Sequence, residues 1–205
     1  MNDQPPVAAV LLRTERALLD AAARWVGVPY GRPASRYDAS AINCSTLTAH
    51  VLDDVLPGGL SSGAWGDIVI ADGRRPWSPV ERAVADGWGV DAPDGPVWTG
   101  VYLAQGWVEL PPGRRTPEGG TVLPQGHAFL VWYDGLCRVL EASSRKHVDG
   151  KAFGVRWRGS PDRAPLPLDP RDAPTLAVDA LAASYPHGVR WCRLRLATTG
   201  DAHAP

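Results

Sequence analysis

The chain has 205 residues, 44% of them hydrophobic, and a formal net charge of −1. That length favours one domain over 1–205 and provides enough apolar side chain for a packed core. The near-neutral charge predicts neither a nucleic-acid partner nor an anionic membrane surface, and no apolar run reaches membrane-spanning length. The opening Met1-Asn2-Asp3-Gln4-Pro5-Pro6 lacks the basic start and apolar stretch of a signal peptide. A product that is cytoplasmic as synthesised is therefore expected, with export by a signal-independent route left open.

In chain order, residues 7–26 carry Val10, Leu11, Leu18, Leu19, Ala22, Ala23 and Val26 at helical spacing. Gly27 is expected to end that helix, and 27–33 reads as a turn-rich link. A second helix is predicted from Cys44 to Val55, stopped by Pro57-Gly58-Gly59. The stretch 57–125 is irregular and reads as an elaborated insertion, with Trp65, Trp77, Trp88, Trp98 and Trp107 among glycines and prolines. Within it, 78–86 predicts a short helix from its Ser-Pro start. Residues 97–110 fit a helix or a strand. From 127 onward the pattern is β-like. Segments 127–133 and 136–142 are expected to form a hairpin about Asp134-Gly135. Strands at 153–158 and 188–196 and a short helix at 175–184 complete the expectation. Helices followed by an antiparallel sheet make an α+β fold, with the helices packed on the sheet.

The three cysteines fit no zinc spacing, and their odd number argues against a disulfide framework. Cys137 and Cys192 lie in apolar strand-like segments and read as small structural residues. Cys44 differs because it lies where a polar run enters a helix. There the helix dipole and the first backbone N–H groups favour a thiolate. A nucleophilic thiol also needs a base and a donor for the developing oxyanion. His127, at the start of a strand, is the candidate base. Glu141, across the predicted hairpin, is the candidate to orient it.

The hairpin register decides whether those two meet. A two-residue turn pairs Tyr133 with Leu136 and sets Glu141 opposite Ala128, on the face away from His127. A shift of one residue brings them together, and that requires an odd-length turn or a bulge. His147 is the rival orienting residue. His50 is expected on another side of the cysteine helix, and His187 in a turn. Each residue also has an ordinary reading: a buried thiol, a core histidine, a carboxylate at a strand end.

The segments Leu19 to Gly31, Tyr37-Asp38, Asn43-Cys44-Ser45, Gly126-His127-Ala128 and Leu140-Glu141-Ala142-Ser143 together resemble the NlpC-type family of papain-like cell-wall cysteine peptidases. The resemblance implies a papain-like fold with Cys44 as nucleophile, His127 as base and Glu141 as orienting residue. It places Tyr30, with Asn43 and Ser45, at the substrate cleft. It implies no metal and no organic cofactor, and a peptide or peptidoglycan fragment as partner, cut at an amide bond. Four positions depart from the family pattern: Asn43 in place of Asp, Thr46 in place of Gly, Phe129 in place of Gly, and Glu141 in place of His. Two other readings stand beside this one. The same array serves an acyltransferase, deamidase or thioesterase acting on a small molecule or lipid. A papain-like domain that binds a partner without catalysis is the other.

Overall fold

The computed structural model describes residues 10–31, 38–69, 78–109, 114–115, 121–122, 125–146, 152–160, 167 and 169–197. The architecture is α+β. Four helices, α1 (Glu15–Ala23), α2 (Cys44–Val55), α3 (Ser62–Val69) and α4 (Ser78–Ala85), precede most of the sheet. The strands are β1 (Gly89–Asp91), β2 (Gly100–Glu109), β3 (Arg114–Arg115), β4 (Thr121–Val122), β5 (Gln125–Tyr133), β6 (Cys137–Lys146), β7 (Ala152–Trp157) and β8 (Val189–Leu194), with α5 (Val178–Ala182) before the last. Six of them form one antiparallel sheet in the order β1-β8-β2-β5-β6-β7. β3 and β4 pair separately.

Strand alternation sends side chains to two covered faces. Leu103, Leu130, Trp132, Leu140 and Trp157 point towards α1 and α2, whose Leu18, Leu47 and Leu52 are buried against them. Tyr102, Phe129, Val131, Val139 and Trp191 point the other way, beneath Leu181 and Tyr185. Burying each large apolar side chain stabilises the fold by roughly 1.5–3 kcal/mol.

The first helix is shorter than its apolar spacing predicts. Leu12 instead forms a parallel bridge with Leu196, its N–H donating to Arg195 O and its carbonyl accepting from Ala197 N. Thr14 then caps α1, its hydroxyl accepting from Ala17 N–H. Sheet pairing buries Leu12 completely, so tertiary contact overrides the helical spacing of 10–14. The ambiguous segment 97–110 is β2, a strand lying between β8 and β5. The Trp-rich stretch therefore contributes to the middle of the sheet as well as supplying α3 and α4.

The hairpin between β5 and β6 has a three-residue turn, Asp134-Gly135-Leu136, with Gly135 at φ 110°. Tyr133 pairs with Cys137, not with Leu136, and Leu130 pairs with Leu140. This is the odd-length alternative. Continued along the ladder, it sets Glu141 opposite Phe129 and on the same face as His127. The backbone of Cys137 is held on its other side by two hydrogen bonds with Leu176.

Candidate active site

The site begins with the start of α2. Asn43 is its N-cap, the side-chain Oδ1 accepting from Thr46 N–H at 2.9 Å. Thr46 Oγ1 reciprocates by accepting from Asn43 N–H at 2.8 Å. The Ser45 hydroxyl donates to the same Asn43 Oδ1 at 2.9 Å. This capping box explains two of the unusual residues beside the thiol, since Asn43 and Thr46 satisfy each other's backbone donors. Asn43 Oδ1 and the Ser45 hydroxyl are engaged in that cap, and neither residue lines the nearby cleft. No acidic residue lies in the first turn to offset the positive end of the helix.

Cys44 is the first residue of α2. Burial works against its ionisation, but the His127 charge, a hydrogen bond with His127 and backbone N–H groups of Ala128 and Ser45 together lower the thiol below its usual value. Burial works against the His127 charge too, yet the Cys44 thiolate and Glu141 together raise the imidazole to about 9. Both shifts favour the thiolate–imidazolium form of the pair over thiol and imidazole. His127 Nε2 lies 2.8 Å from Glu141 Oε2, which leaves Nδ1 as the ring nitrogen for the sulfur.

Glu141 is only 4% exposed. Burial opposes its charge, but His127 and Arg158 hold the carboxyl down at about 2. Arg158 donates to Oε2 through both Nε (2.9 Å) and Nη2 (2.6 Å), and Nη2 also donates to Tyr185 Oη at 2.7 Å. Arg156 Nε stands 3.7 Å from the other carboxylate oxygen.

Tyr30 reaches the site from the turn after α1. A parallel bridge ties it to Ile42, with Gly31 N–H donating to Ile42 O and Ile42 N–H to Pro29 O, both at 2.9 Å. This zipper sets the Tyr30 ring beside the segment that enters α2. Burial and the neighbouring thiolate push its phenol up to about 12, and its hydroxyl hydrogen-bonds with Cys44 and Ser144. Tyr30, Val108, Ser143, Ser144, Arg158 and Tyr185 line a cleft of about 290 Å³ that opens beside His127 and Glu141. A hollow of about 350 Å³ at the other end of the sheet is larger. Four of its charged lining residues pair with one another, Arg138 with Asp134 and Arg171 with Asp169. Chemistry, not size, singles out the cleft at His127.

The structure thus brings together Cys44, His127, Glu141 and Tyr30, which lie far apart in the chain. His147 lies outside the described residues. His50 stacks on Trp25 and meets Trp65 edge-on, at centroid distances of 4.1 and 4.7 Å. Cys137 and Cys192 are buried, and burial pushes both thiols up. Sequence reasoning missed Arg158 and Tyr185. The alternation of Val155 and Trp157 with Arg156 and Arg158 carried a signal, since period two sets both arginines on one face. Nothing local marked Tyr185.

The chain matches no protein-family model, and no similarity is found to a curated protein or to a solved structure. Among the described residues, no cluster of three or more His, Cys, Asp or Glu could hold a metal ion, and no helix is long and apolar enough to cross a membrane.

Proposed function

We propose that this chain is a papain-like cysteine hydrolase that cleaves an amide bond, with a peptidoglycan stem peptide as favoured substrate. The observation that carries the reading is the contact series from the Cys44 sulfur through His127 to the Glu141 carboxylate at the start of α2. Its chemistry follows from the charges. The thiolate attacks the carbonyl carbon and forms a C–S bond. Backbone N–H groups at Cys44 and Ser45, with the Tyr30 hydroxyl, are the donors within reach of the resulting oxyanion. The His127 imidazolium gives its proton to the leaving amine as the C–N bond breaks. Neutral His127 then takes a proton from water, which attacks the thioester, and the acid and thiolate separate.

The substrate class rests on the resemblance and on the cleft. Ser143, Ser144, Arg158 and the two tyrosines make a polar lining, and none of the described tryptophans contributes to it. Such a wall suits a peptide better than a lipid chain, which weighs against a lipid thioesterase on the same array. Mass spectrometry of muropeptides incubated with wild type and with Cys44→Ala tests the reading. Cleavage by wild type alone is expected. Equal cleavage by both, or by neither, overturns the assignment of substrate. A purely binding role requires Cys44 to react with iodoacetamide no faster than an ordinary thiol.

A further inference from the structure

Glu141 receives more than the histidine. Its Oε2 accepts three N–H donors, one from His127 and two from Arg158. Arg158 is itself fixed. Its backbone N–H donates to Val139 O at 2.8 Å, one step beyond the end of β7. Its guanidinium carbon lies 5.3 Å from the Phe129 ring centroid and 5.7 Å from that of Tyr185, and those rings stack on each other. Gly106 makes room for the arrangement, because a Cβ there would run into the Tyr185 ring. Phe129, a departure from the family pattern, is thus part of the seat for this guanidinium.

We propose that Arg158 is a positioning residue for the Cys44–His127 pair: it holds Glu141 as an oriented carboxylate and, through it, keeps the imidazole aimed at the sulfur. The inference rests on the nucleophile reading above and adds a fourth member to the array. A carboxylate this buried would otherwise favour its neutral form. Protonated Glu141 would stop stabilising the imidazolium, and the pair would shift towards thiol and imidazole. A guanidinium remains charged at every working pH, and its planar donors fix the carboxylate orientation. The titratable and charged groups around Glu141 are His127 from β5, Arg156 from β7, Arg158 after it, Tyr185 after α5, and Cys44 and Tyr30 across the site. Arg158 donates to the same oxygen as His127.

The test follows the pH profile of Cys44 alkylation by iodoacetamide, read at Cys44 by peptide mass spectrometry. Wild type is expected to react rapidly well below the usual thiol pKa. Arg158→Met is expected to lose about tenfold of the rate at pH 6, an effect usual for residues of one hydrogen-bond network, because Glu141 is then no longer held in line with the imidazole. Its rate should return towards wild type at pH 10, where an ordinary thiol is ionised. Arg158→Lys keeps the charge without the planar fork, and it is expected to recover part of the rate at pH 6. In a Glu141→Gln background, Arg158→Met should change the pH 6 rate less than about twofold, because the two residues act as one unit. An unchanged low-pH profile in Arg158→Met overturns the role of Arg158 while sparing the nucleophile. A Lys variant as slow as the Met variant, or additive losses with Glu141→Gln, also overturns it. A wild-type profile that rises only through the ordinary thiol pKa overturns the nucleophile reading itself.

Discussion

Cys44 at the start of α2 is partly exposed and Cys192 within β8 is buried, and desolvation pushes each thiol towards the neutral form. They end on opposite sides of the ordinary value. Cys192 is packed among apolar residues of the sheet and is pushed up. Cys44 faces an imidazolium and two backbone N–H groups and is brought down. Burial alone makes an inert thiol. Burial with a compensating charge and a helix N-terminus makes a reactive one.

The largest test of that contrast is a pair of alanine variants. Cys44→Ala is expected to lower hydrolysis by a factor on the order of 10⁴ or more, as for other nucleophiles removed from such arrays. Cys192→Ala is expected to leave turnover intact and to cost about 1 kcal/mol of stability, read by thermal melting. Loss of turnover in the β8 variant without loss of fold breaks the comparison.

Next comes Glu141→Gln. It leaves Arg158 buried without its anion and should cost about 3 kcal/mol, measured by chemical denaturation at neutral pH. The variant also carries a pH signature. The folded-state pKa of Glu141 is depressed from 4.5 to about 2. Its contribution is therefore complete above the unfolded pKa and is lost as pH falls from about 4.5 towards 2. Wild type should weaken through that window, and the Gln variant should lack this component. Identical acid limbs would remove Glu141 from the account.

The pH dependence of turnover sharpens the contrast further. The proposed hydrolysis needs the thiolate together with the imidazolium. Activity should rise at a pH below the usual thiol pKa, as Cys44 ionises, and fall as pH climbs through about 9, where His127 loses its proton. A profile that only begins to rise near pH 9 would place Cys44 with Cys192.

The smallest expected effect is at the cap. Asn43→Ala removes a side-chain acceptor from the first turn of α2 and should cost about 1 kcal/mol. With the helix start loosened, alkylation of Cys44 at pH 6 should slow slightly. No change in either measurement would show that the thiol does not depend on the cap.

Much of the site was legible because its signals are local. A polar residue ahead of an amphipathic run marks a helix start, and α2 spans Cys44–Val55 as its spacing implies. Alternating residues marked β5, β6 and β7, and the apolar settings of Cys137 and Cys192 marked them as structural. What sequence left open was decided by contacts distant in the chain. Turn length determines the strand register, and a one-residue change in register moves every side chain to the other face. Here Leu136 joins the turn and Cys137 pairs with both Tyr133 and Leu176, so Glu141 shares a face with His127. Residues 10–14 give up helical spacing for a bridge to Leu196, and β2 takes its place between β8 and β5. The seat of Arg158 needs Phe129, Tyr185 and the bare Gly106 from three separate segments. The sequence by itself determined the thiol at its helix start, because capping and periodicity act within a few residues. Only tertiary structure decided what that thiol faces, because the charges that lower its pKa arrive from strands whose register no local pattern sets.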